Sequence, residues 1–155
     1  MTRAADNVVM RDEGVTWVRF TVPGEAAAQG SKRHVGGGKM IEMSKRLPTW
    51  REDVRRAILD LGLEEPMYGP IEVQLLFTLK RPLAHFGSGR NANVLKDGAP
   101  DYAPKGRDID KLCRAVLDAM EQASLIINDA QVAVLSAQKR YGVKPGLQAT
   151  VRQLP

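Results

Sequence analysis

The stretch from Ile71 to Lys80 constrains this chain more than any other, because Ile71, Val73, Leu75, Phe77 and Leu79 alternate with Glu72, Gln74, Thr78 and Lys80. Successive side chains of a strand point to opposite faces, so this strand has one apolar face to cover and one polar face that tolerates water. Pro82 closes it. Thr16 to Val22 repeats the pattern, with Val18, Phe20 and Val22 opposite Trp17, Arg19 and Thr21, and Pro23 ends it.

The cover for such a sheet is legible as two helices. Trp50, Val54, Ala57, Ile58 and Leu61 recur at helical spacing over Thr49 to Leu61, between Pro48 and Gly62. Ile109, Leu112, Cys113, Val116, Leu117 and Met120 form a second continuous stripe at i, i+3, i+4, i+7, i+8 and i+11. Gln131 to Tyr141 and Leu147 to Leu154 read as two last strands, with Gly142, Pro145 and Gly146 between them. Ser31 to Met43 reads as a basic hairpin turning at Gly36, Gly37 and Gly38. This order predicts one α+β domain, a mixed or antiparallel sheet with both helices packed on one face. Residues 1–15, with Arg3, Asp6, Arg11, Asp12 and Glu13 and no apolar core, are expected to be a flexible tail before a domain over 16–155. Residues 83–107 hold no sustained periodicity and form a loop longer than compact domains usually keep without a use for it.

Composition narrows the chemistry. The chain has 155 residues, enough for one core, and no apolar run approaches the ~20 residues of a membrane span. Its one cysteine, Cys113, and two distant histidines, His34 and His85, leave no soft-ligand zinc site and no disulfide framework, so any metal would be held by oxygen and the cytoplasm is the expected compartment. A net charge of +5 favours a polyanionic partner. The triple glycine is followed by no Lys-Ser/Thr pair opening a helix, so no nucleotide cofactor is expected.

Against that background the acidic residues stand out. Asp108 and Asp110 flank Ile109 where the long loop meets the second helix, and in an extended lead-in alternate side chains share a face. Two carboxylates brought together repel unless a hard cation such as Mg²⁺ lies between them. Arg114, one turn after Asp110 and one before Asp118, would stabilise charge on a phosphate there. Plainer readings stand beside this one. Asp is a preferred helix N-cap, Asn128 and Asp129 are an ordinary turn pair, and Arg114 with Asp110 is equally a surface ion pair.

The run RDIDKLCRAVLDAMEQASLIINDAQV, from Arg107 to Val132, resembles the RusA family of Holliday junction resolvases. It has the family's Asp-x-Asp, a basic residue four positions on, a leucine-rich helix with an internal Asp, and an Asp-Ala-Gln-Val turn about twenty residues later. The resemblance implies a homodimeric endonuclease that needs Mg²⁺, with Mn²⁺ as a substitute, and cuts branched DNA at paired positions. It implies metal ligation by Asp108, Asp110 and Asp129, and puts Arg114 in the place of an essential lysine. Asp118 matches the helix aspartate, and Lys139 matches a basic residue of the following strand. Lys105, Arg107, Lys111 and Lys139, extended by Lys32 and Arg33 of the hairpin, are then the expected DNA contacts. The loop HFGSGRNANVLKDGAP resembles an insertion of phage-encoded members, which points to a bacterial host cytoplasm. Two departures are Arg114 for lysine, not a neutral exchange, and Asn128 where many relatives have another Asp. They keep open the alternative of a branched-DNA-binding protein that cuts weakly or not at all.

Overall fold

The computed structural model describes residues 7–30, 32–34, 40–42 and 45–155. Strands β1 (Val8–Asp12), β2 (Val15–Pro23), β5 (Ile71–Lys80), β6 (Val132–Gly142) and β7 (Gly146–Gln153) form one sheet in the order β1-β2-β7-β5-β6. Only β5 and β6 run parallel; the other neighbours are antiparallel, so the sheet is mixed. A parallel pair needs a crossover, and the long loop followed by helix α2 (Ile109–Gln122) supplies it. Helix α1 (Leu47–Leu59) packs against α2 and β2, and α2 against β6.

The alternation in β5 is realised as read. Ile71, Val73, Leu75, Phe77 and Leu79 are buried, while Glu72, Gln74, Leu76 and Thr78 are not. Val18, Phe20 and Val22 of β2 and Leu147, Ala149 and Val151 of β7 join them under the helices. Helix α1 contributes Leu47, Trp50, Val54 and Ile58, and α2 contributes Leu112, Cys113, Ala115, Val116, Ala119 and Met120. Both helices therefore cover one face, and the other is bare polar sheet.

One feature differs from the sequence reading, and a second goes beyond it. Residues 8–12 are not tail but an edge strand paired with β2 along Val8↔Arg19 to Asp12↔Val15. The turn between them is the two-residue step Glu13-Gly14, with φ of 48° and 79°, a left-handed backbone conformation whose twist matches that of the flanking strands. Its charged residues look like tail, yet charge on an edge strand guards against stray pairing. The long loop is also ordered on itself. It makes 3-10 turns at Leu83–His85 and Gly89–Asn91 and a bridge between Phe86 and Leu95. Its far end zips onto β6 through Ala103 N–H to the Lys139 carbonyl (3.0 Å) and Tyr141 N–H to the Asp101 carbonyl (2.9 Å).

Short strands β3 (Lys32–His34) and β4 (Met40–Glu42) pair antiparallel, as a hairpin would. The Gly36 to Gly38 turn and the side chains of Lys32 and Arg33 lie outside the described residues.

Candidate active site

The parallel β5-α2-β6 unit sets the site, because it brings the start of α2, its outward face and the start of β6 around one hollow. A cavity of about 470 Å³ lies between α2 and β6. Asp110, Arg114, Asp118 and Asp129 supply its charge, and Ile109, Cys113, Leu117, Leu135 and Ala137 its apolar wall. A larger hollow of about 660 Å³ lies on the bare sheet face, but it holds none of the sequence-predicted residues and its Glu72 is paired with Arg152 at 3.2 Å.

Asp108 occupies the N-cap position of α2, yet its side chain makes no capping hydrogen bond. It turns instead to Lys111, whose Nζ lies 3.2 Å from Oδ2. Asp108 is not among the cavity-lining residues. Asp110, in the first turn of α2, is exposed and has no hydrogen-bond or ion-pair partner among the described residues, Arg114 included. The alternatives of a capping aspartate and a surface Asp110–Arg114 pair are thus not what the side chains do.

Asp129 stands at the head of a 3-10 turn, Asp129–Gln131, that leads into β6. Asn128 fixes that turn as its cap, accepting from Ala130 N–H at 2.7 Å, while Gln131 Oε1 accepts from Asn128 N–H at 3.1 Å. Glu121 of α2 accepts from the Asp129 N–H at 2.6 Å, which docks the turn on the last turn of the helix. Asp110 and Glu121 are separated by about 16 Å along the helix axis at 1.5 Å per residue. Asp110 and Asp129 therefore enter the cavity from towards its opposite ends. Among the described residues no three His, Cys, Asp or Glu side chains gather as a metal cage. The donors still suit Mg²⁺, an ion commonly held by one or two carboxylates with water and substrate phosphate completing its octahedron.

The neighbours hold the site in ways the sequence did not announce. Residues 24–30 strap across α2, with Gln29 N–H bonded to the Lys111 carbonyl at 3.0 Å. The Gln29 side chain donates from Nε2 to Asp118 and accepts from Arg51 at 3.3 Å. Gly30, at φ +100°, lies so close to Arg114 that a Cβ there would sit 2.7 Å from Nη1. These partners come from 22 to 89 positions away in the chain, so no local motif marks them.

The expected DNA contacts cluster at the start of α2, and three of the four described ones have partners within the protein. Arg107 pairs with Glu25 at 3.2 Å, Lys111 with Asp108, and Lys139 Nζ donates to the Arg107 carbonyl at 2.7 Å. Lys105 is exposed. Beside them Cys113 is buried. Burial first, and the negative charge of Asp110 second, push its thiol up to about 11.

No curated protein matches the chain at a significant level. The protein-family model described as Endodeoxyribonuclease RusA matches residues 23–152, which span β5, β6, both helices, all of β7 but its last residue, and every residue of the cavity. The chain belongs to the RusA endodeoxyribonuclease family.

Proposed function

We propose that this protein is a magnesium-dependent, structure-selective endodeoxyribonuclease that resolves Holliday junctions and other branched DNA by paired phosphodiester cleavage. The observation that carries the reading is that Asp110 and Asp129, from the two ends of the α2-to-β6 connection, line one cavity together with Arg114. Asp110 and Asp129 would hold Mg²⁺, or Mn²⁺ in its place, once the Asp129 turn leaves Glu121 and closes on the start of α2, with Asp108 joining once released from Lys111. When bound, the ion activates water and draws charge from the scissile phosphate.

The chain's own groups supply the rest. Arg114 presents a planar guanidinium that grips phosphate oxygens in two places and stabilises the charge that grows on them. The positive end of the α2 dipole works in the same direction. Lys105, Arg107 and Lys111 hold the backbone phosphates beside the cut, exchanging Glu25 and Asp108 for DNA. The wall of buried Cys113 and half-buried Leu117 keeps bulk water from one side of the cavity. A four-way junction has two-fold symmetry, so a homodimer working in the cytoplasm of a bacterial or phage-infected cell places one such site on each of two strands.

A junction labelled on each arm, incubated with the protein and Mg²⁺, is expected to give symmetric paired nicks that vanish in Asp110→Asn. Intact junctions across metals and pH would refute the cleavage. The ion pair of Asp108 with Lys111 favours a second reading, a junction binder that does not cut. It predicts a salt-sensitive complex with no product in Mg²⁺ or Mn²⁺.

A further inference from the structure

An aromatic ring on the far side of β6 has no part in the chemistry above. Tyr102 is 59% exposed, although the segment that carries it is among the most firmly held in the loop. Tyr102 bridges Arg140, with backbone hydrogen bonds to β6 on both sides of it, from Ala103 N–H and to the Asp101 carbonyl. Arg81, its side chain only 10% exposed, donates to the Pro100 carbonyl at 2.8 Å and reaches Asp101 at 3.4 Å. The Arg140 guanidinium carbon lies 4.8 Å from the Tyr102 ring centroid, in the range of a cation–π contact.

The position matters as much as the pair. Arg140 pairs with Thr78, and so lies on the bare sheet face, whereas Lys139 pairs with Phe77 and turns to the helix side. Lys139 reaches the Arg107 carbonyl, one residue before Asp108. The exposed ring is thus one strand position and one lysine side chain away from the start of α2, across the edge of the sheet.

We infer that Tyr102 and Arg140 form a stacking platform for one unpaired DNA base, taken from the strand as it passes over the β6 edge near the cut. A rigid exposed aromatic beside a guanidinium offers a π-face to any base and a cation to its phosphate. The ordering of the loop means little freedom is lost when the base arrives. The inference rests on the reading of the chain as a DNA nuclease, and it makes the site selective for branched substrates, where bases are free to unstack.

The test uses a four-way junction carrying 2-aminopurine next to the crossover, bound by Asp110→Asn protein so that the DNA stays whole. The expected result is a change of probe fluorescence on binding that Tyr102→Phe keeps and Tyr102→Leu loses, with junction affinity roughly tenfold weaker in the leucine variant. Equal fluorescence and affinity in Tyr102→Leu, or no fluorescence change in the parent complex, would overturn the platform while leaving the nuclease reading intact. Failure of the parent to bind any junction would overturn both.

Discussion

Lys139 donates from Nζ to the carbonyl oxygen of Arg107 across 2.7 Å, fastening strand β6 to the last residue before Asp108. The same lysine accepts at its own carbonyl from Ala103 N–H, so one residue anchors both the end of the long loop and the beginning of α2. Its charge is used inside the protein, to aim the acidic side chains, at least as much as outward towards DNA.

Replacing Lys139 with Met removes a charge-assisted hydrogen bond and lets the Arg107–Asp108 segment drift. The expected outcome is a fall in kcat of roughly tenfold, in line with the loss of a group that orients metal ligands, while KM for the junction stays nearly constant. A phosphate-binding lysine would behave otherwise, raising KM and flattening the salt dependence of binding. Single-turnover cleavage with binding measured at several salt concentrations separates the two.

Gly30 carries a left-handed backbone at φ +100° and leaves room for Arg114. Gly30→Ala strains that conformation by about 1 kcal/mol. Because the new Cβ would lie 2.7 Å from Nη1, the flexible guanidinium is the group that yields, and it moves away from its place in the cavity. Thermal unfolding is expected to shift down by only about 2 to 4 °C, against a much larger loss of cleavage rate. A full loss of rate with no change in Tm, or the reverse, would each be informative; unchanged cleavage would break the link between Gly30 and Arg114.

Asn128 caps the turn that carries Asp129. Its oxygen does what an aspartate would do there, so Asn128→Asp should keep stability within a few tenths of a kcal/mol. Asn128→Ala should cost about 1 kcal/mol and lower activity further by loosening Asp129. Denaturant titration of both variants, with cleavage assayed beside it, checks the pair.

How far the sequence reveals this molecule follows from where each contact originates. Strand β5 and the stripe of α2 are written locally, because each has one wet face and one dry face, and periodicity records that difference. Strand β1 is not, since an edge strand is wet on most sides and its charges resemble those of a tail. The Asp108-Ile109-Asp110 spacing is legible, but that Asp108 pairs with Lys111 while Asp110 lines the cavity is not. Asp129 is found through its turn and the Asp-Ala-Gln-Val run, while its place in the cavity depends on α2 being 14 residues long and on Glu121 receiving its N–H. Gln29 and Gly30 carry no signal at all, because their partners are fixed only when residues 24–30 cross the helix.

Burial of Cys113 carries a pH signature. Its thiol ionises near 11 in the fold against an ordinary value of 9.0, with desolvation the larger cause and Asp110 the smaller. Below pH 9.0 both folded and unfolded chains keep the proton and stability owes nothing to this group. Between 9.0 and about 11 the unfolded chain loses the proton while the folded one holds it, so stability falls as pH rises, by on the order of 3 kcal/mol in all. Cys113→Ala should lose that part of the alkaline slope, although it is less stable at neutral pH through the cavity it leaves. Urea titrations of both proteins at pH 8 and pH 10.5 measure it.

The central claim is that Asp110 and Asp129 serve one divalent ion. The measurement that meets it most directly is a crystal structure of the protein with an uncleaved junction and Mn²⁺, the ion located by its anomalous scattering. The account predicts Mn²⁺ in the cavity beside Arg114, with a carboxylate oxygen of Asp110 and one of Asp129 both within about 2.3 Å and a DNA phosphate completing the shell. Bound junction with Asp129 still held away by Glu121, and no ion touching Asp110, would contradict it.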